Sequence, residues 1–304
     1  MASEIQRMID LKKIHPPKWL KTNLVLETIM GSRAYGLQAT DSTDWDIYGI
    51  CIPSKIYTYP NMYGLILGFD DIPKFDTWQE HHIKDESKGY LFDFQVYNII
   101  KFFNLAENCN PNIIDSLFVR EDCIKYCTNV GHRIRDNRKL FLSKLCWKRF
   151  RSYSASQLYK IDAKNSKEKR KELVDKYGFD TKYAYHCLRL LQEAEMMLTE
   201  GELDLTRNNQ ELKAIRNGEW TLEKVQKEFE LRKLDIEEVY HKSNLPEKPD
   251  HNKIKELLVS NNLKFIESLG YIGTFFVGMM LAFGFTAPFA AGYLISLSSQ
   301  SIII

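Results

Sequence analysis

Apolar runs separated by turn-forming residues divide the chain into a strand-rich first part and a helix-rich second part. Residues 24–30 (LVLETIM) and 45–52 (WDIYGICI) read as strands. Residues 53–88 hold three prolines, several aromatics and many charges, and read as a loop-rich insertion with a strand or two around 64–68. Residues 89–96 (GYLFDFQV) read as another strand, polar at Asp93 in an otherwise apolar alternation. Over 97–107 the apolar residues Ile99, Ile100, Phe103, Leu105 and Ala106 fall at helical spacing. Asn110-Pro111 stops that helix, and 112–118 begins the next element. From about 135 onward the pattern is helical. It includes an aromatic-rich amphipathic run over 141–161 (Leu145, Trp147, Phe150, Tyr153, Leu158) and a charged stretch over 164–176, read as a solvated face. Further helices are predicted over 181–199, over 220–240 with Thr221 as cap and Glu223 in the first turn, and over 253–263 after a turn at 245–250.

The pattern changes after Glu267, beyond which no Lys, Arg, Asp, Glu or His occurs up to Ile304. Residues 271–297 are apolar and long enough to span a bilayer, and the Pro288 and frequent Gly and Ala they contain are tolerated in membrane helices. Three readings stay open for this tail: a C-terminal membrane anchor with the rest in the cytosol, a buried or oligomer-forming helix pair, or a segment translated out of the ancestral frame.

Composition narrows the picture modestly. A chain of 304 residues is long enough for two domains with real cores, and its 44% hydrophobic and 27% charged content is ordinary for a globular protein. Net charge is +2, so any nucleic-acid surface has to be local. The six cysteines contain no C-x-x-C pair, which argues against structural zinc and for a reducing compartment. The N-terminus is charged throughout, unlike a secretory signal.

The candidate chemistry lies in residues 31–49, GSRAYGLQATDSTDWDIYG. In a strand, residues two apart share a face, so Asp44 and Asp46 project together while Trp45 points away. Adjacent carboxylates repel unless a cation sits between them, and a pair of oxygen ligands with room for water and phosphate suits Mg²⁺. A Gly31-Ser32 turn beside them can bring backbone N–H groups to a phosphate chain. On the 181–199 helix, Lys182, His186 and Arg189 share one face, either as a clamp for triphosphate or RNA backbone or as a solvated face. Arg33 is either a phosphate contact or an exposed turn residue, and His81-His82 reads as exposed loop without a third ligand.

A strand, Gly-Ser, a dozen residues and then D-x-D opening a second strand resembles the nucleotidyltransferase superfamily related to DNA polymerase β. The segments VYNIIKFFNLAENCNPNIIDSLF, YGFDTKYAYHCLRLLQEAEMMLTEG and IRNGEW resemble an uncharacterised bacterial and phage branch of it, so the likeness covers most of residues 20–260. The resemblance implies an α+β fold: a small mixed-sheet catalytic core with flanking helices over 1–130, a helical nucleotide- and acceptor-binding domain over 131–266, and the apolar tail over 267–304. It implies that Gly31 and Ser32 hold the β- and γ-phosphates, that Asp44 and Asp46 bind Mg²⁺, and that Asp93 completes a second metal site, with Asp115 as a weaker competitor for third acid. Arg33, Lys182, His186 and Arg189 are the remaining expected nucleotide contacts. Two Mg²⁺ ions about 4 Å apart would stabilise both attacking and leaving oxygens in an in-line displacement. The implied reaction is NTP plus an acceptor hydroxyl giving a nucleotidylated acceptor and pyrophosphate.

The acceptor stays open. An RNA 3′ end, especially tRNA, is suggested by Lys148, Arg149, Arg151, Lys167, Lys169 and Arg170 with interleaved Trp147, Phe150 and Tyr153. A protein hydroxyl and a small hydroxylated molecule are the alternatives, and a non-catalytic, membrane-tethered nucleotide-binding protein is the rival from another class. Expected placement is cytoplasmic, with membrane association through 270–297. One residue departs from the branch: Tyr48 stands where its members commonly carry Arg.

Overall fold

The computed structural model describes residues 3–38, 44–161 and 171–267. The chain divides into two compact units, Met1–Ile254 and Lys255–Ile304, and the candidate site lies wholly in the first. It opens with helix α1 (Glu4–Asp10), the short helix α2 (Leu20–Asn23) and strand β1 (Leu24–Met30), which is buried at every position. The short helix α3 (Gly31–Ala34) follows, then β2 (Asp44–Cys51) and a further short helix α4 (Lys55–Thr58). No strand forms around 64–68, where the backbone turns. The insertion instead ends in a long strand, β3 (Thr77–Asp85), followed by β4 (Tyr90–Asn98).

These strands and β5 (Ile124–Cys127) build one five-stranded sheet in the order β3-β4-β2-β1-β5. β2 and β4 run parallel with Asp46 opposite Asp93, and the other neighbouring pairs are antiparallel. Residues directly opposite each other on paired strands lie on the same face, so Asp44, Asp46 and Tyr48 share a face with Asp93 and Tyr97. The other face carries Glu27 and Gly49, opposite each other in the β1–β2 pairing. α1 covers this side. The buried Glu27 carboxylate accepts from Ser3 Oγ and from the backbone N–H groups of Glu4 (2.8 Å) and Ile5 (3.3 Å), satisfying the orphan donors of the helix start.

After β4 come α5 (Ile99–Glu107) and α6 (Pro111–Phe118). Asn110-Pro111 turns out to start α6 as well as to end α5: the Asn110 side chain accepts from the Ile113 N–H, and Pro111 occupies the first turn, where a missing N–H costs nothing. α7 (Asn129–Asp136) packs against β1, with Gly131 so close that a Cβ there would meet the Val25 carbonyl at 2.7 Å. α8 (Leu145–Ile161) starts later than the 141–161 periodicity predicts, because residues 138–141 form a 3₁₀ turn. α9 (Lys171–Tyr177), α10 (Thr181–Glu200), α11 (Asn209–Arg216) and α12 (Leu222–Lys242) follow, and α10 is the hub, touching α8, α11 and α12. Its apolar stripe (Leu188, Leu191, Ala194, Met197) is fully buried. Thr221 caps α12 by accepting from the Lys224 N–H. The last described helix is α13 (His251–Glu267).

The fold expectation requires one correction. The structure is a mixed β-sheet core with flanking and C-terminal helices, and no helix among the described residues is long and apolar enough to cross a membrane. The membrane partner and the membrane association expected through 270–297 are withdrawn with it, and that stretch lies outside the described residues.

Candidate functional site

The site is assembled where β1 ends. Gly31 has φ +63°, a left-handed conformation that a side chain disfavours, and this lets the chain turn sharply from β1 into α3. The Asp46 carboxylate is seated against Gly31: a Cβ there would fall on Asp46 Oδ2 and 2.8 Å from its Cγ. Asp44, exposed, and Asp93, partly exposed, flank Asp46 on the same face. Burial raises the Asp46 carboxyl above its usual range, and the neighbouring Asp93 and Asp44 charges add to that, while Lys182 and His81 oppose it. A like-charged cluster of this kind is relieved by a cation.

The facing wall comes from α10. Its N-cap, Asp180, accepts from the Lys182 and Tyr183 N–H groups and fixes how the helix starts. Lys182 lies within electrostatic reach of Asp46. His186, with its ring 4.2 Å from that of Tyr185, lines a cleft of about 320 Å³ together with Gly31, Asp46, Tyr48, Asn112 and Tyr153. Arg189 also reaches this cleft, but its Nη1 donates to Asp115 Oδ2 and Glu193 Oε1, both at 2.6 Å, and its guanidinium lies 4.0 Å from the Tyr35 ring centroid. Tyr35 in turn donates to Asp115 Oδ2 at 2.8 Å. The four residues form a buried ion cluster that ties the segment after α3 to α6 and α10.

Two more expected contacts are placed by the structure. Ser32 follows Gly31 in α3, and its carbonyl accepts from the Leu37 N–H at 2.7 Å. Arg33 stacks on Trp45 at 4.1 Å and donates from Nε to the Asp44 carbonyl at 3.1 Å, which holds α3 onto the start of β2. Asp115 lies on α6 in the ion cluster and is separated from the Asp44–Asp46–Asp93 face by that role.

His81 and His82, expected in a loop, lie instead on β3 beside Asp93. The His82 N–H donates to Asp93 Oδ1 at 2.7 Å, and the Nδ1 atoms of His81 and His82 are 3.6 and 3.7 Å from the same oxygen. Sequence reasoning missed this pair because a two-histidine run in a charged insertion carries no strand signal. Among the described residues, no group of three or more His, Cys, Asp or Glu side chains suffices to hold a metal ion.

A family model described as "RlaP: RNA repair pathway DNA polymerase beta family" matches residues 3–259. The chain belongs to the RlaP family. RlaP membership spans both the sheet and the helical part, and it places the chain in the nucleotidyltransferase superfamily related to DNA polymerase β. None of the curated proteins matches. Among solved structures, the nucleotidyltransferase-like protein from Exiguobacterium sibiricum 255-15 aligns over 78% of this chain and 73% of its own at 10% identity. Its TM-score of 0.28 is too low for that likeness to carry argument.

The partner expectations are corrected on a second point. The RNA-stacking surface predicted on 147–153 does not exist as such, because Trp147 and Phe150 are buried in the helical core. Trp147 Nε1 and Arg151 Nη1 both donate to Glu237 Oε2 at 3.0 Å, and Lys148 sits 5.7 Å from the Tyr240 ring. Lys167, Lys169 and Arg170 lie outside the described residues. Tyr153 stays exposed, and nothing among the described residues of that part of the chain marks an RNA or protein acceptor.

Proposed function

We propose that this RlaP-family protein transfers a nucleoside monophosphate from an NTP to an acceptor hydroxyl. The observation that carries the reading is the seating of Asp46 on Gly31, with Asp93 opposite Asp46 on the adjoining parallel strand. That places a glycine turn able to admit a phosphate chain directly beside a cluster of mutually repelling carboxylates. The donor set suits an oxygen-preferring dication such as Mg²⁺. It supplies carboxylates only and leaves the remaining positions for phosphate and water, as Mg²⁺ prefers. As they stand these carboxylates do not converge as a ready-made metal site; Asp44, Asp46 and Asp93 would close on the ion together with phosphate oxygens, and it would then neutralise charge developing on the phosphates.

The chain's own groups have distinct tasks in this reading. The turn at Gly31 and Ser32 presents backbone to the phosphates, and Lys182 and His186 approach from α10 to offset their charge. Asp93 lies at the more open side, where it can accept the proton of the attacking hydroxyl. The hydroxyl oxygen forms a bond to the α-phosphorus, the bond to the bridging oxygen of the β-phosphate breaks, and pyrophosphate leaves. The RNA repair named in the family description favours an RNA hydroxyl as acceptor over the protein hydroxyl of an adenylylation reaction.

The test is incubation of the protein with each labelled NTP, Mg²⁺ and RNA bearing a free 3′ hydroxyl. Label should enter RNA with wild-type protein and fall by at least about 100-fold in Asp44→Asn and Asp46→Asn. Label that enters RNA undiminished in both variants, or enters nothing with any NTP, refutes the reading.

A further inference from the structure

β3 is the edge strand next to β4, and its pairing is interrupted beside Asp93. Glu80 stands opposite Phe94 and Ile83 opposite Phe92, so two residues, His81 and His82, face a single residue, Asp93. This is a β-bulge, a feature that re-aims groups locally at the expense of regular pairing. His82 has φ +58°, which a residue with a Cβ adopts at a cost. In that conformation its backbone N–H, which a regular antiparallel strand would give to a backbone carbonyl, goes to Asp93 Oδ1 at 2.7 Å. Both imidazoles are largely solvent-exposed, so the strained backbone is not there to bury a side chain.

We infer that the His81–His82 bulge is the positioning element for Asp93, its His82 N–H orienting the Asp93 carboxylate toward Asp46 so that the two can share a cation. The inference rests on the nucleotidyl-transfer reading but makes a separate claim. Asp46 is held by burial against Gly31, whereas Asp93 stands more open and depends on the bulge for its orientation. A carboxylate fixed through one oxygen loses rotational freedom before the cation arrives, and such supporting bonds tune affinity and rate. The role belongs to the backbone of residue 82, so the bulge, and not the imidazole, is what the site requires.

The experiment uses the full chain with a non-hydrolysable NTP, titrated with Mn²⁺ and followed by electron paramagnetic resonance, alongside thermal melting and transfer kinetics. His82→Pro, which cannot take the left-handed conformation and lacks the N–H, and deletion of His81, which restores regular pairing, should each weaken Mn²⁺ binding about 10- to 100-fold. kcat should fall by the same order, with KM for the NTP changed less than about twofold, since the phosphates are held from the Gly31 side. His82→Gly, which keeps both the N–H and the conformation, should restore Mn²⁺ affinity and kcat to within about threefold of wild type. Folded His82→Pro or deletion protein with wild-type Mn²⁺ affinity overturns the inference, and so does His82→Gly as impaired as His82→Pro. If both disruptive variants unfold, His82→Val, which keeps the N–H but disfavours the left-handed conformation, takes their place, and folded His82→Val with the Mn²⁺ affinity of His82→Gly overturns the inference. Wild-type protein that binds Mn²⁺ and NTP but transfers nothing sinks the reaction and leaves the Mn²⁺ series to decide the bulge. Wild-type protein that binds no Mn²⁺ with any NTP overturns both.

Discussion

Gly31→Ala is the most direct probe of the site, because two independent costs meet at one atom. The backbone there has φ +63°, and an L side chain in that region costs about 1 kcal/mol or somewhat more. The added Cβ would also land on Asp46 Oδ2, 2.8 Å from Asp46 Cγ and 3.3 Å from its Cβ, so the carboxylate has to rotate out of its seat. Forcing it into a poorer rotamer adds about 1 kcal/mol. Together these predict a loss of about 2–3 kcal/mol in urea unfolding, or about 5–10 °C in melting temperature for a unit of this size. The effect on transfer should be larger, about 100-fold or more, because a displacement near 1 Å in a reacting group already costs that much. Gly64→Ala separates the two contributions: its φ is +75° and nothing lies within 4 Å of the position a Cβ would take. It should lose about 1 kcal/mol of stability and none of the activity. Transfer rates for Gly31→Ala that match those for Gly64→Ala would refute the claim that the Asp46 seat matters.

The remaining predictions concern the buried charges. In the Arg189 cluster one guanidinium faces two carboxyls, so together they can carry one more charge than it offsets, and burial raises both Asp115 and Glu193 above their usual range, Glu193 strongly. Glu193→Gln should therefore change unfolding free energy by less than about 1 kcal/mol, while Arg189→Met, which strands the carboxyls, should cost about 3–5 kcal/mol in the same denaturation assay. Glu27, fully buried, is pushed up to about 7 by burial in spite of its bonds from Ser3, Glu4 and Ile5. The folded state then binds the extra proton between about pH 4.5 and 7, so this group's contribution is fully present below that window and lost as pH rises through it, about 3 kcal/mol in all. Urea midpoints measured at pH 5 and pH 8 should show that loss in wild type and not in Glu27→Gln, and parallel pH profiles for the two proteins would refute it.

How much of this the sequence discloses depends on whether a residue's role is local. β1, β2 and β4 are legible because their apolar runs pack in the middle of a sheet, and the Asp44–Asp46 spacing places both carboxylates on one face without any tertiary information. The Thr221 cap is equally local. β3 is not legible: TWQEHHIKD is an edge strand, mostly exposed, and its bulge interrupts what alternation it has. Arg189 shows the limit most clearly. Its spacing from Lys182 and His186 puts it on the right helix face, but Asp115, 74 residues upstream, takes its charge together with Glu193. Trp147 and Phe150 mislead for a related reason, since an amphipathic aromatic stripe gives no sign of whether α12 or a nucleic acid will cover it.

Tyr48 connects these points. It stands on β2 two residues past Asp46, on the same face, where the branch commonly has Arg, and its ring meets Tyr97 at 5.8 Å. An Arg there would place a fixed positive charge on the strand that carries the carboxylates. With Tyr, which burial keeps neutral, Asp46 has no cation from its own strand. The charges that offset it come from elsewhere, Lys182 on α10 and His81 on β3. Arg189, on the same α10 face as Lys182 and His186, is paired with Asp115 and Glu193 and acts as a tie between α10, α6 and the segment after α3. The cleft therefore has more negative charge than the sequence pattern implies, and the position of α10 over the sheet decides how much of it is compensated. A site in that condition gains more from a bound dication than one with a built-in arginine, so in this chain the substitution at residue 48 should strengthen the dependence on metal.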